Sequence, residues 1–395
     1  MNKHDRIAKV LREGEANGDG WSLELNTSSG RTVYAVAVAQ NNRRSRTGPT
    51  WSYVFENDGW TSIDLGTPGS FETLKSAYST IGLSPKDIKR VLISHGHSDH
   101  DGTVSEFLDD SEAELWAHQS YQPLKNYIPW EINYRKGSIL QKELNRIAEE
   151  KIEPSKEDDS RSETDKNYFE NRKLTVVTKH LEDGDEFSDL KVMSTPGHSP
   201  DQICLVLDDF IFTGDHILPE ITPHPTSKMV FRNTISEKLP EFLKDPSELY
   251  GLGTYLDSLG KVIQLGDEYT VLPAHRLFNK SSFNWSGVER AGDIIHHHEK
   301  RLNRMVDKHH EKRLNRMVDK LQNKTSNLEE TTKGIFEKSK LLGSNLYAAM
   351  SEIVAHLELL EDTRDITITA GGEISIQGSG TNYKEYISGL LKPGP

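Results

Sequence analysis

Ser94-His95-Gly96-His97-Ser98-Asp99-His100-Asp101-Gly102 follows the apolar run Val91-Leu92-Ile93, which reads as a buried strand. Three imidazoles and a carboxylate fall between His95 and His100. At the mouth of a strand they cannot all be core residues. With a flexible glycine among them, they read as a metal site built on a loop. His95 and His97 are two residues apart, so on an extended strand end both rings face the same side. Asp99 and His100 come after the chain turns and approach from a second direction. That geometry suits two adjacent ions better than one, and it outweighs the alternative of a surface cluster that binds nothing.

Three more apolar runs end in residues of the same chemistry. Leu190-Lys191-Val192-Met193 leads into Thr195-Pro196-Gly197-His198-Ser199. Phe210-Ile211-Phe212 leads into Thr213-Gly214-Asp215-His216, and Thr270-Val271-Leu272 into Pro273-Ala274-His275. A lone histidine at a strand tip is ordinarily a hydrogen-bonded surface residue. Several such tips beside a His-x-His-x-Asp-His loop favour ligation instead.

This order of motifs resembles that of the metallo-β-lactamase fold hydrolase superfamily, and most of all the branch containing glyoxalase II and lactamase-beta-like hydrolases with a helical C-terminal domain. The resemblance covers roughly residues 30 to 380. It implies an α+β fold, an αββα sandwich followed by a helical, winged-helix-like domain. It also implies that His95, His97 and His198 hold one metal ion, that Asp99, His100 and His275 hold a second, and that Asp215 bridges the two. Asp64, in Ser62-Ile63-Asp64-Leu65-Gly66, matches the family's early aspartate, which supports the site from behind its ligands. The cofactors implied are two divalent ions, zinc first, although histidine and carboxylate ligands also accept iron and manganese.

Composition narrows the function classes. The chain has 395 residues, enough for two domains and a large core. Only 34% of residues are apolar and the mean hydropathy is −0.65. That polarity is concentrated in charged stretches, which suggests a globular protein with polar insertions. A net charge of −13 disfavours sequence-independent nucleic-acid binding, where lysine and arginine must neutralise phosphates. The single cysteine, Cys204, allows no intramolecular disulfide and fits a reducing cytoplasm. It sits inside Ile203-Cys204-Leu205-Val206-Leu207, so a buried inert thiol is expected. No N-terminal apolar leader follows Met1, and no apolar run approaches the ~18 residues of a membrane span.

Along the chain, residues 1–20 read as a lead-in, 21–290 as the catalytic domain and 291–395 as the C-terminal domain. Strands are expected over 21–25, 32–39, 51–56 and 60–65, with a hairpin turn at Asn57-Asp58-Gly59. Residues 41–48 read as an exposed loop. His118, ending the strand-like Glu114 to His118, is expected to be structural. Residues 120–173 form an insertion between His100 and His198, with a helix from Ile139 to Lys151 and a solvated charged loop from Glu153 to Lys173. Tyr121, Tyr127, Trp130 and Tyr134 would either wall the active site or pack the insertion onto the sandwich. Prolines 219, 223 and 225 extend the chain beyond Asp215, which makes His216 and His224 candidates for substrate contact, with a structural role as the alternative.

Residues 297–308 repeat letter for letter at 309–320. A twelve-residue shift turns an α-helix about 120° out of phase, so the copies cannot share one helix face. The duplication therefore lengthens a helix or creates a loop, and its histidines are expected on a solvated face. Ile366, Ile368, Ile374 and Ile376 alternate with polar residues around Ala370-Gly371-Gly372, a β-hairpin. Helices followed by a hairpin suggest the winged-helix-like cap. Such modules often bind DNA, but the acidic charge favours the role seen in the resembled branch, packing on the catalytic domain.

The leading expectation is a hydrolase in which a hydroxide shared by two ions attacks an acyl thioester or a related ester or lactone, with Asp99 orienting it. A thiolate leaving group needs no general acid. The expected partner is a small-molecule acyl substrate, with a homodimer as the assembly to consider and no membrane. The rival readings are a phosphodiesterase or ribonuclease, and an iron-dependent persulfide dioxygenase using only His95, His198 and Asp215. A true β-lactamase is disfavoured, because Asp215 stands where zinc β-lactamases commonly place a cysteine.

Overall fold

The computed structural model describes residues 3–40, 47–127, 133–134, 138–151, 163–318, 326–337, 341 and 344–392. Strand Thr32–Val38 illustrates how its sheet is built. Val33, Ala35 and Ala37 point into one apolar cluster while Val36 and Val38 point into another. Successive side chains on a strand face opposite ways, so an almost continuous apolar run marks a sheet covered on both faces.

That sheet has eight strands, in the order Ile7–Arg12, Ser22–Asn26, Thr32–Val38, Thr50–Glu56, Trp60–Ile63, Ile88–Ile93, Glu114–His118 and Lys179–Leu181. A second sheet has six, in the order Glu186–Phe187, Leu190–Ser194, Ile203–Leu207, Phe210–Gly214, Thr270–Pro273 and Ser286–Gly287. Their inner faces share one core, in which Trp51, Tyr53, Phe55 and Leu92 of the first meet Ile203, Leu205, Phe212 and Leu272 of the second. Phe55 and Phe212 stack with centroids 5.4 Å apart. The outer face of the first sheet is covered by helices Phe71–Ser79 and Val104–Asp110 through Leu74, Tyr78 and Phe107. The fold is thus α+β, a two-sheet sandwich with a helical C-terminal region.

The chain forms two compact units. The first comprises residues 1–129, 159–223 and 262–291, and contains both sheets. The second comprises residues 130–158, 224–261 and 292–395. This partition differs from the contiguous division at residue 290, and the reason is amphipathicity. Helix Ile139–Lys151 buries Leu140, Leu144 and Ile147, one stripe at helical spacing, and packs on helices Leu328–Ile335 and Ser344–Asp362 of its own unit. The expected hairpin pairs Ile366 with Ile376 and Ile368 with Ile374, and helix Asn382–Leu390 follows it.

Other expectations are corrected. Residues 7–12, within the supposed lead-in, form a strand antiparallel to Ser22–Asn26. Residues 163–174, within the supposed solvated loop, form a helix that buries Tyr168 and Arg172. The duplicated dodecamer lies in helix Glu289–Val318 as far as that helix runs. Its histidines are not all on a solvated face, for His298 is buried with Nδ1 3.0 Å from His356 Nε2. Ile294, Ile295, Leu302 and Met305 lie on the same buried stripe. Cys204 is buried and so is His118. Tyr121 packs in the core; Trp130, residues 41–46, 152–162 and 319–320, and the side chain of Tyr134 lie outside the described residues. Among the described residues no helix is long and apolar enough to cross a membrane.

Candidate metal centre

Parallel pairing gathers the site. Trp60–Ile63, Ile88–Ile93 and Glu114–His118 are parallel neighbours, so Asp64 and Ser94 leave the first sheet at one edge. In the second sheet Phe210–Gly214 and Thr270–Pro273 are also parallel, which delivers Asp215 and His275 side by side; Ala274 N–H donates to Gly214 O at 3.0 Å. The sheets are tied at this edge by Ile203 N–H donating to Ser94 O at 2.9 Å.

Three groups of side chains converge there: His95, His97 and His198; His95, His100 and Asp215; and Asp99, His100 and His275. Within each, the ligand-type atoms lie within 4.8 Å of one another. His95 Nε2 is 2.8 Å from His97 Nδ1, which is 3.1 Å from His198 Nε2. Asp215 Oδ2 lies 3.6 Å from His198 Nε2, while its Oδ1 lies 3.6 Å from His100 Nε2 and 3.5 Å from His275 Nε2. One carboxylate therefore presents an oxygen to each side. Asp99 Oδ2 is 3.2 Å from His275 Nε2, and its side chain is 27% exposed. It is the most open of these carboxylates, since Asp215 is 10% exposed.

The surroundings set the ring tautomers. Asp64, held at φ 57°, accepts from Ser94 N–H at 2.8 Å and Ser94 Oγ at 2.7 Å, and from His100 Nδ1 at 2.8 Å. His275 Nδ1 donates to the Pro49 carbonyl at 2.9 Å. Each donation leaves Nε2 as the ligand atom, the arrangement in which outer partners orient metal-binding histidines.

Charge and burial compete strongly here. Burial opposes protonation of His100 and His275, yet facing carboxylates (Asp64 and Asp215 for His100, Asp215 and Asp99 for His275) raise both. Burial and neighbouring imidazoles drive His95 well down, and burial with His198 brings His97 to about 3. Burial would raise Asp99 and Asp215, but His100 and His275 hold both well below the usual carboxylate range. The donor set fits divalent ions on a further ground. Among the described residues, His100 Nε2, His275 Nε2 and Asp215 Oδ1 are buried without a hydrogen-bond partner, which is costly unless something else satisfies them.

His216 is wholly buried. His224 belongs to the second unit, where its Nε2 lies 3.4 Å from Ala348 O. Neither is in the three ligand groups. Sequence reading missed Asp101, Tyr168, Arg172 and Asp201, which surround the metal loop. The only signal for the helical pair was the four-residue spacing of Tyr168 and Arg172.

A two-sheet sandwich carrying this His/Asp cluster at one edge is a scaffold with a candidate metal centre. The chain belongs to the metallo-beta-lactamase superfamily, whose family model matches residues 45–275, over half of its length. It is 27% identical over 169 residues to the probable metallo-hydrolase YybB of Bacillus subtilis (strain 168), covering 42% of this chain and 60% of that relative. The match therefore spans less than two thirds of the relative's length. Among solved structures, the metallo-beta-lactamase family protein TTHA1429 from Thermus thermophilus is 18% identical, with a TM-score of 0.56 over 87% of this chain and 98% of that one. A metallo-beta-lactamase from Cronobacter sakazakii is 16% identical, with a TM-score of 0.40 over 69% of this chain and 94% of that one.

Proposed function

We propose that this chain is a dinuclear-metal hydrolase of acyl thioesters or related esters. The observation that carries the reading is the two-sided carboxylate of Asp215, set between His198 on one side and His100 and His275 on the other. His95, His97 and His198 would hold one ion, Asp99, His100 and His275 the other, with Asp215 shared. When bound, two divalent ions, zinc in this reading, supply Lewis acidity and lower the pKa of a coordinated water to about 7.

The chain's own residues do the rest. Asp64 and the Pro49 carbonyl keep the protons of His100 and His275 on Nδ1. Gln40 Nε2, 3.4 Å from Asp99 Oδ2, orients the carboxylate, and Thr50 Oγ1, donating to the main-chain carbonyl of Asp99 at 2.8 Å, fixes the backbone that carries it. From that position Asp99 would accept a hydrogen bond from the attacking water and aim it at the acyl carbon. A thiolate departs without a proton, so a thioester needs no further acid from this set. The partner proposed is accordingly a small acyl-bearing molecule.

The test is turnover of an acyl-CoA thioester and of bis(p-nitrophenyl) phosphate by zinc-loaded protein under identical conditions. Preference for the thioester is expected. Preference for the phosphodiester would replace this reading with a nuclease, and inactivity on both, with oxygen consumption by iron-loaded protein, would replace it with a dioxygenase.

A further inference from the structure

Gly96 separates two ligand candidates and is held from both ends of its own residue. Its N–H donates to Asp201 Oδ2 at 2.8 Å, and Asp201 Oδ1 accepts from Ser199 Oγ at 2.5 Å. Its carbonyl accepts from Arg172 Nη2 at 2.7 Å. The same guanidinium places Nε 3.0 Å from Asp101 Oδ2, and Asp101 directly follows His100. Asp101 also accepts from Tyr121 OH at 2.8 Å and from Tyr168 OH at 2.5 Å. The guanidinium carbon sits 5.5 Å from the ring centroid of Tyr121 and 5.7 Å from that of Tyr168. Arg172 and Asp101 are both buried.

The support is itself anchored. Arg172 and Tyr168 come from helix Glu163–Leu174, whose last turn is tied down by Lys125 Nζ donating to the carbonyls of Arg172 at 2.9 Å and Lys173 at 3.0 Å. A cation suits that end of a helix. There is no slack at Gly96, where a Cβ would lie 2.6 Å from Arg172 Nη2 and 3.0 Å from Asp201 Oδ2.

We propose that Arg172 is a positioning residue for the metal centre, its guanidinium spanning Gly96 O and Asp101 so that the loop carrying His95, His97 and His100 is gripped at both ends. This rests on the reading of those histidines as ligands. The role needs an extended planar cation, because the Gly96 carbonyl is met by a hydrogen bond while the Asp101 carboxylate is held by an ion pair at Nε; an ammonium is a single point charge and cannot span them in the same way. Helix Glu163–Leu174 thereby becomes part of the site although it supplies no ligand.

The test uses the full-length chain with Co2+ as the probe, titrated against a chelating indicator well below the melting temperature, with the visible spectrum recorded. Arg172→Lys keeps the charge and loses the planar span, and its Co2+ affinity should fall about 10–100-fold, as for other partners that orient metal ligands, with an altered spectrum. Tyr168→Phe removes one hydrogen bond from Asp101 without stranding a charge and should weaken Co2+ binding about 3-fold to 10-fold. A merely structural role would lower the melting temperature but leave affinity and spectrum of the folded protein unchanged. Wild-type affinity and spectrum in both variants would overturn the proposal; should Arg172→Lys not fold, wild-type behaviour of Tyr168→Phe alone would do so. A wild-type chain that binds no Co2+ would refute the ligand reading and this proposal together. A chain that binds Co2+ yet cleaves no thioester would refute only the proposed activity.

Discussion

Asp64→Asn is the most informative single change, because it alters one atom of a group that ligates nothing. The carboxylate accepts three hydrogen bonds, at 2.8 Å from Ser94 N–H, 2.7 Å from Ser94 Oγ and 2.8 Å from His100 Nδ1. With Asn, the carbonyl keeps the Ser94 amide, and an NH2 takes the place of the other oxygen. The Ser94 hydroxyl can rotate to accept. His100 can accept at Nδ1 only by moving its proton to Nε2, and that removes the lone pair facing Asp215 and Asp99. Hydrogen bonds to a charged group contribute about 1.5–3 kcal/mol against about 0.5–1.5 for neutral ones, so stability should fall by roughly 1–3 kcal/mol. Losing the proposed ligating tautomer should weaken binding of the ion assigned to His100 about 10–100-fold, or about 1.4–2.8 kcal/mol. Zinc competition titration would resolve the two ions, and thermal melting would certify the fold. An Asp64→Asn protein that is folded and binds both ions as tightly as wild type would refute the tautomer argument.

Three further outcomes are expected. Asp99→Asn should lower thioester turnover about 10²–10⁴-fold with an unchanged circular dichroism spectrum; full activity would remove Asp99 from the mechanism. Burial raises Glu358 to about 7 although Lys228 N–H and Ser138 Oγ donate to it. A carboxyl raised on folding contributes stability that is complete below its unfolded value, near 4.5, and is lost as pH rises to about 7. Glu358→Gln should therefore remove a loss of up to about 3 kcal/mol across that window, read by urea denaturation at stepped pH, and an unchanged slope would contradict it. His298 is lowered by burial and then by His356, with His297, Arg301 and His224 adding to the effect. Its contribution is present above about pH 6.5 and is lost as pH falls, so His298→Leu should unfold less readily than wild type on acidification from pH 7 to 5. Equal acid sensitivity would show that the pair does not govern it.

The metal loop was legible because its information is local. Alternating His-x-His after an apolar run needs only strand periodicity to orient both rings. Strand tips ending in His198, Asp215 and His275 were legible for the same reason. The clamp was not, since Asp101, Tyr168, Arg172 and Asp201 come from separate segments and each is an ordinary polar residue in isolation. Within residues 163–173 a helix was missed because nearly all of its residues are polar or aromatic; most are exposed, and the burial of Tyr168 and Arg172 depends on a buried carboxylate far earlier in the chain, that of Asp101. The strand at residues 7–12 was missed because its side chains are mostly exposed, so no apolar alternation marks it; its partner strand supplies the pairing.

By itself the sequence determined the residue types of the candidate centre and their presentation at strand ends, since these follow from short-range periodicity and chain reversal; the sandwich that carries them was implied by the resemblance of its motifs to the metallo-β-lactamase fold hydrolases. Only the tertiary structure decided which ring nitrogen faces inward, how the two oxygens of Asp215 divide between His198 and the pair His100 and His275, and which arginine braces the loop. Those are distances of about 3 Å between atoms far apart along the chain, and hydrogen-bond direction at that range is set by the packing of whole sheets and helices.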